Sequence, residues 1–191
     1  MNNPHCINKA YADYFKSWFQ DHASSSSKAF FVTLTFEREA QRRQRRQAEG
    51  LSQGAFEMKA FDHLYNAISR KLIGRNYHRS CNCLRLPHVA AFLDAAGSRH
   101  WHRSGELSNI HLHTLWIVED ALTLSFREAM DMNGPMFHTW RRFSFDEIDV
   151  QEIDIERDVS TVVAYASKLI GFTNSDLSLG RDFEIYPLQA S

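Results

Sequence analysis

Residues 29–36 read AFFVTLTF, aromatic and β-branched side chains without a charge, and predict a buried strand. HVAAFLDA after Pro87 predicts a second strand at 88–95, and IHLHTLWIV a third at 110–118. FDEIDVQEIDIE, 145–156, alternates apolar and acidic residues as a half-exposed strand does. Between these lie helical periods. Residues 7–21 predict an N-terminal helix, closed by the polar break Ser24 to Ser27. In 51–74, Phe56, Phe61, Leu64, Ile68 and Leu72 form an amphipathic stripe that ends near Gly74. Residues 122–143 predict a further helix, interrupted at Gly134 and Pro135. The last helix, 157–171, has Asp158 or Ser160 as its cap and Gly171 as its end. Residues 37–50 are polar all round and read as an exposed helix extension or a loop.

After the N-terminal helix the order is β, α, β, β, α, β, α. It predicts an α+β fold, a central antiparallel sheet with helices packed mainly on one face. One domain is expected, with a helical extension at 1–28, a core at 29–171 and a tail at 172–191. A length of 191 residues, 43% of them apolar and 24% charged, suits one globular core. No apolar run reaches the roughly 18 residues of a membrane span, and the N-terminus has no signal-peptide pattern. Three cysteines give no disulfide framework, so a cytoplasmic setting is expected. Net charge is −1, but the first hundred residues hold the excess of Lys and Arg and the remainder the excess of Asp and Glu. Such a division can present one basic face.

His111 and His113 sit two apart on a predicted strand, so they share a face, about 7 Å apart along it. They are either a hydrogen-bonded core pair or two metal ligands. If 88–95 pairs with 110–118 as a hairpin, Asp94 comes beside them as a third ligand. Glu106, on the intervening connection, is the alternative. Two imidazoles and one carboxylate leave coordination positions open for substrate oxygens. In the last helix Tyr165 and Lys168 are three apart and share a face. A tyrosine can attack phosphorus, and a lysine one turn away can offset phosphate charge. By themselves they are equally a half-buried ring and a solvated cation.

FFVTLTF at 30–36, HLH at 111–113 and YASK at 165–168 occur in the order of the motifs of the HUH endonuclease superfamily. The chain resembles the branch of single-tyrosine replication initiators. The resemblance implies a sheet like that of RNA-recognition or ferredoxin-like domains, with the site on its open face. It implies His111 and His113 as ligands of Mg²⁺ or Mn²⁺ with an acid from the neighbouring strand, and Thr33 and Thr35 beside the DNA. Tyr165 would cut single-stranded or hairpin origin DNA and stay linked to the 5′ phosphate, with Lys168 acting on that phosphate. The function implied is initiation of rolling-circle replication of a plasmid or phage-like element. No Gly-x-x-x-x-Gly-Lys motif occurs, so strand separation would fall to a host helicase. The alternatives are a single-strand transposase with the same chemistry, a noncatalytic nucleic-acid-binding sheet, and a small metalloenzyme unrelated to DNA.

Three further expectations concern partners. Arg42, Arg43, Arg45 and Arg46 are placed to grip DNA phosphates. Trp101 is a candidate base-stacking ring. The acidic strand 146–156 should face away from DNA.

Overall fold

A computed structural model describes residues 4–36, 39–95, 109–170 and 179–187. Six α-helices occur among them: α1 (Pro4–His22), α2 (Glu39–Glu49), α3 (Ala55–Ile73), α4 (Thr123–Met130), α5 (Phe137–Arg142) and α6 (Val159–Ala166). Five strands, β1 (Ser27–Phe36), β2 (His88–Asp94), β3 (His111–Glu119), β4 (Phe145–Ile153) and β5 (Phe183–Tyr186), form one sheet in the order β4-β1-β3-β2-β5. Every neighbouring pair is antiparallel. The fold is therefore α+β with a central antiparallel sheet, as the order of elements predicts. No helix of the described residues is long and apolar enough to cross a membrane.

Alternation along the strands divides the side chains between two faces. On one, Phe30, Val32, Leu34, Val89, Ala91, Leu93, Leu112, Trp116 and Val118 pack against α3 and α4, forming the larger core. On the other, Ala29, Ala90, Phe92, Leu115 and Ile117 pack against Phe15 and Phe19 of α1 and Val159 and Val163 of α6. The larger helical layer thus lies on one face. The two helices of the second layer leave part of their face uncovered, and His111 and Thr33 there are only partly buried.

Several boundaries differ from the pattern. Residues 183–186, expected in a tail, add the edge strand β5, paired with β2 from Val89↔Tyr186 to Phe92↔Phe183. The final helix stops at Ala166, before Gly171. The Ser167 hydroxyl donates to the Val163 carbonyl at 2.8 Å, the local bond by which serine competes with helix continuation. Gly54, before α3, has φ 85°, and a Cβ there would come within 2.7 Å of the Arg181 carbonyl oxygen. Only glycine fits that turn without strain.

The largest correction concerns the arginine run. Residues 39–49 form a helix, and Arg42 and Arg46, four apart, turn inward to the buried Glu57 of α3. Their Nη1 atoms lie 3.5 and 3.2 Å from Glu57 Oε1. Glu57 Oε2 accepts the Gly54 N–H at 2.8 Å. Arg42 and Arg46 therefore anchor α2 instead of gripping phosphates. Arg43 and Arg45 are exposed, and Arg45 donates to the Ser144 hydroxyl. Glu57→Gln would leave two buried guanidinium groups without their carboxylate. It is expected to cost about 3–5 kcal/mol in denaturant unfolding, against about 0.5 kcal/mol or less for Arg43→Gln. Equal midpoints for the two variants would contradict this assignment.

Candidate metal and tyrosine site

The strand register brings the predicted ligands together. Asp94 pairs with His111 and Phe92 with His113 across β2 and β3. Thr35 faces His111 and Thr33 faces His113 across β1 and β3. All lie on the partly uncovered face. Asp94 and His113 are buried, while His111 is partly open.

Three nitrogens converge on one carboxylate oxygen. Asp94 Oδ2 lies 3.0 Å from His111 Nε2, 3.0 Å from His113 Nε2 and 2.7 Å from Lys168 Nζ. Its other oxygen accepts the Ala95 N–H at 2.9 Å. The remaining ring nitrogens also have partners. His111 Nδ1 lies 2.9 Å from the Asn109 carbonyl oxygen, and His113 Nδ1 lies 3.3 Å from Thr33 Oγ1. A carbonyl only accepts, so His111 Nδ1 carries a proton and Nε2 of the neutral ring presents a lone pair toward Asp94. Lone pair facing lone pair is unfavourable unless a proton or a cation sits between them. A backbone carbonyl holding the far nitrogen is also the usual arrangement behind a metal-binding histidine. One ligand atom from each of Asp94, His111 and His113 lies within 4.8 Å of the others, and the three could hold a metal ion.

Charge follows the same geometry. Burial would raise the Asp94 pKa, but hydrogen bonds from His111, His113 and Lys168 outweigh it and hold the carboxyl well below the usual range. Burial would lower His111, yet its bonds to Asp94 and the Asn109 carbonyl carry it above its ordinary value. His113 is lowered, chiefly by burial, with the charge of His111 adding to the effect. These shifts act on stability in opposite directions. The Asp94 contribution is present above the unfolded carboxylate pKa and lost as pH falls through the depressed folded one. The His111 contribution is present below about 6.5, its unfolded value, and lost as pH rises through the raised folded one. A cation must displace the His111 proton. Were a divalent cation held there, its affinity would rise with pH, by up to about tenfold per unit while His111 is protonated. Titration calorimetry at stepped pH checks this, and a flat profile would contradict it.

Tyr165, in the last turn of α6, is 38% exposed. Its ring lies 4.9 Å from the His113 ring and 6.1 Å from Phe31. Lys168 Nζ stands 4.0 Å above the tyrosine ring while also contacting Asp94. Although α6 ends before Lys168, the turn after it keeps the two side chains together. Tyr165, Lys168, Asp94, His111 and His113 thus form one cluster. Thr33 belongs to it as the partner of His113, and Thr35 flanks it. Glu106 and Trp101 lie outside the described residues.

Sequence reasoning missed two supports. Asn109, two residues before β3 begins, adopts φ 48°, a left-handed conformation that asparagine tolerates. Its position ahead of the histidine strand was the available signal. Phe31 stacks on the His113 ring, with centroids 5.2 Å apart, and strand parity alone places it on that face. The acidic strand requires a correction. Glu147 pairs with Thr35 and Asp149 with Thr33, so both exposed acids share the face of the histidines. They stand two strands away, about 10 Å by ordinary strand spacing. An anionic ligand is repelled along that edge and favoured on the Lys168 side. His78, Cys81 and Cys83 form no metal cluster among the described residues, and both thiols are exposed.

Comparisons of the chain with protein-family models, with curated proteins and with solved structures found no match.

Proposed function

We propose that the protein is a metal-dependent, sequence-specific endonuclease and strand transferase acting on single-stranded DNA. One observation carries the reading: a partly exposed tyrosine packs on a histidine of a carboxylate–bis-imidazole cluster, with a lysine touching both. Asp94, His111 and His113 would hold a divalent cation. Mg²⁺ or Mn²⁺ suits a site that must also take hard phosphate oxygens. Bound there, the ion supplies Lewis-acid polarisation of the scissile phosphate.

The chain's own residues do the rest. Tyr165 Oη attacks phosphorus in line with the departing O3′. The Oη–P bond forms, the P–O3′ bond breaks, the phenolic proton passes to solvent and the leaving O3′ is protonated. The products are a 5′-phosphotyrosine and a free 3′ hydroxyl. Lys168 donates to the phosphate, where its charge offsets the negative charge that builds up. Thr33 and Asn109 hold the imidazole orientations. In the reverse step a 3′ hydroxyl attacks the phosphotyrosine and releases Tyr165, which joins the strands.

Such chemistry starts rolling-circle replication of a plasmid or phage-like element, with a host helicase separating the strands. Exposed free thiols at Cys81 and Cys83 fit a reducing, cytoplasmic setting. The test is cleavage of a pool of single-stranded oligonucleotides with Mn²⁺ and with chelator. Cleavage that chelator abolishes supports the reading. Chelator-insensitive DNA binding without cleavage would favour a noncatalytic nucleic-acid-binding sheet.

A further inference from the structure

The face of α3 away from the sheet borders an open cleft of about 520 Å³, lined on its far side by α5 and the residues flanking it. Phe61, Leu64, Tyr65 and Ile68 turn inward to the core, while His63, Asn66, Arg70 and Lys71 turn to the cleft. Met136, Thr139 and Phe143 form the opposite wall. A smaller depression shares His63 and Phe143 with it and adds Lys59 and Arg142. The His63 and Phe143 rings are stacked, 5.3 Å apart and 16° from parallel.

Charge here is one-sided. Lys59 is paired with Glu49 at 2.8 Å. Arg70, Lys71 and Arg142 are exposed and have no ion pair among the described residues. Arg70 and Lys71 line the cleft and Arg142 the adjoining depression, so the two together present positive charge that a polyanion offsets. The cleft volume is in the range of small-ligand pockets, enough for a base but not for a duplex. Its stacked rings and Met136 offer a base the surface that sequence-tolerant single-strand binders provide.

We infer that the α3–α5 cleft is a second nucleic-acid site. It holds a single-stranded segment, with phosphates on Arg70, Lys71 and Arg142 and a base against Met136 and the His63–Phe143 stack. The cleft lies on the face of the sheet covered by α3 and α4, opposite Tyr165 and His113. It therefore anchors a strand that passes around the domain and does not contribute to the chemistry. The inference rests on the DNA reading of the tyrosine site.

The test is fluorescence anisotropy with a long single-stranded oligonucleotide, from low to moderate salt. The triple variant Arg70→Gln, Lys71→Gln, Arg142→Gln changes only exposed side chains. Each phosphate contact adds about 0.7 to the slope of log affinity against log salt for single strands. The variant is expected to lose about 2 from that slope and to bind about tenfold or more weakly at low salt. Its Mn²⁺ affinity and its cleavage rate at saturating DNA should be unchanged. A wild-type slope and affinity in the variant would overturn the cleft while leaving the tyrosine site standing. With a duplex of the same sequence as a second probe, a loss confined to the duplex would overturn the single-strand assignment. If the wild-type protein binds no single-stranded DNA, both readings fail together.

Discussion

Tyr165→Phe is expected to abolish covalent attachment to DNA and to lower strand cleavage by at least about four orders of magnitude, the scale of removing a nucleophile. The substitution deletes one oxygen from a ring that is partly exposed. The ring's packing on His113 and Phe31 and the Lys168 contact above it do not depend on the hydroxyl. Mn²⁺ affinity and single-strand DNA affinity should therefore remain. That separation is the informative part of the result. A variant that still cleaves would remove the tyrosine from the chemistry, and one that unfolds would show up in its unfolding midpoint.

The second large effect is expected at the cluster. His111→Ala combined with His113→Ala removes two of the three side chains that could hold a metal ion. It should weaken Mn²⁺ binding beyond the roughly hundredfold upper range seen when only a supporting partner is lost. Cleavage should disappear with it, while much of the DNA affinity stays, because phosphate contacts elsewhere supply most of that energy. Asp94→Ala should weaken Mn²⁺ more than Glu106→Ala does. Asp94 is the atom-level centre of the cluster, touched by both imidazoles and by the Lys168 ammonium. The reverse order would transfer the third ligand to Glu106. Unchanged cleavage in the double histidine variant would end the metal assignment.

The parts of this site that the sequence reveals are those governed by strand parity. A period of two puts His111 and His113 on one face wherever the strand begins, and an antiparallel hairpin carries Asp94 to them. The Tyr165–Lys168 spacing survived even the early end of α6, because the following turn keeps the same side. What stayed hidden depends on partners distant in sequence. Nothing in a polar run such as 39–49 announces that Arg42 and Arg46 will be buried, since their counter-charge, Glu57, looks like an ordinary surface acid of an amphipathic helix. A buried ion cluster breaks the hydrophobic period that pattern reading relies on. The face taken by Glu147 and Asp149 is hidden for a different reason. Their face depends on the register of β4 against β1, which shifts between Thr35 and Phe36. A one-residue slip reverses every side chain. The strand at 183–186 is four residues long and includes Glu184, too short and too polar to stand out.

The measurement that bears most directly on the central claim is the site of covalent attachment. The full chain would be incubated with Mn²⁺ and single-stranded DNA labelled on either side of the cleavage position, then denatured, digested and examined by mass spectrometry. The account predicts a 5′-phosphorylated nucleotide on the peptide that contains Tyr165, together with a released strand ending in a 3′ hydroxyl. Cleaved DNA with both ends free of protein would mean that water is the nucleophile. Attachment at another tyrosine, such as Tyr11 or Tyr14, would place the active site elsewhere.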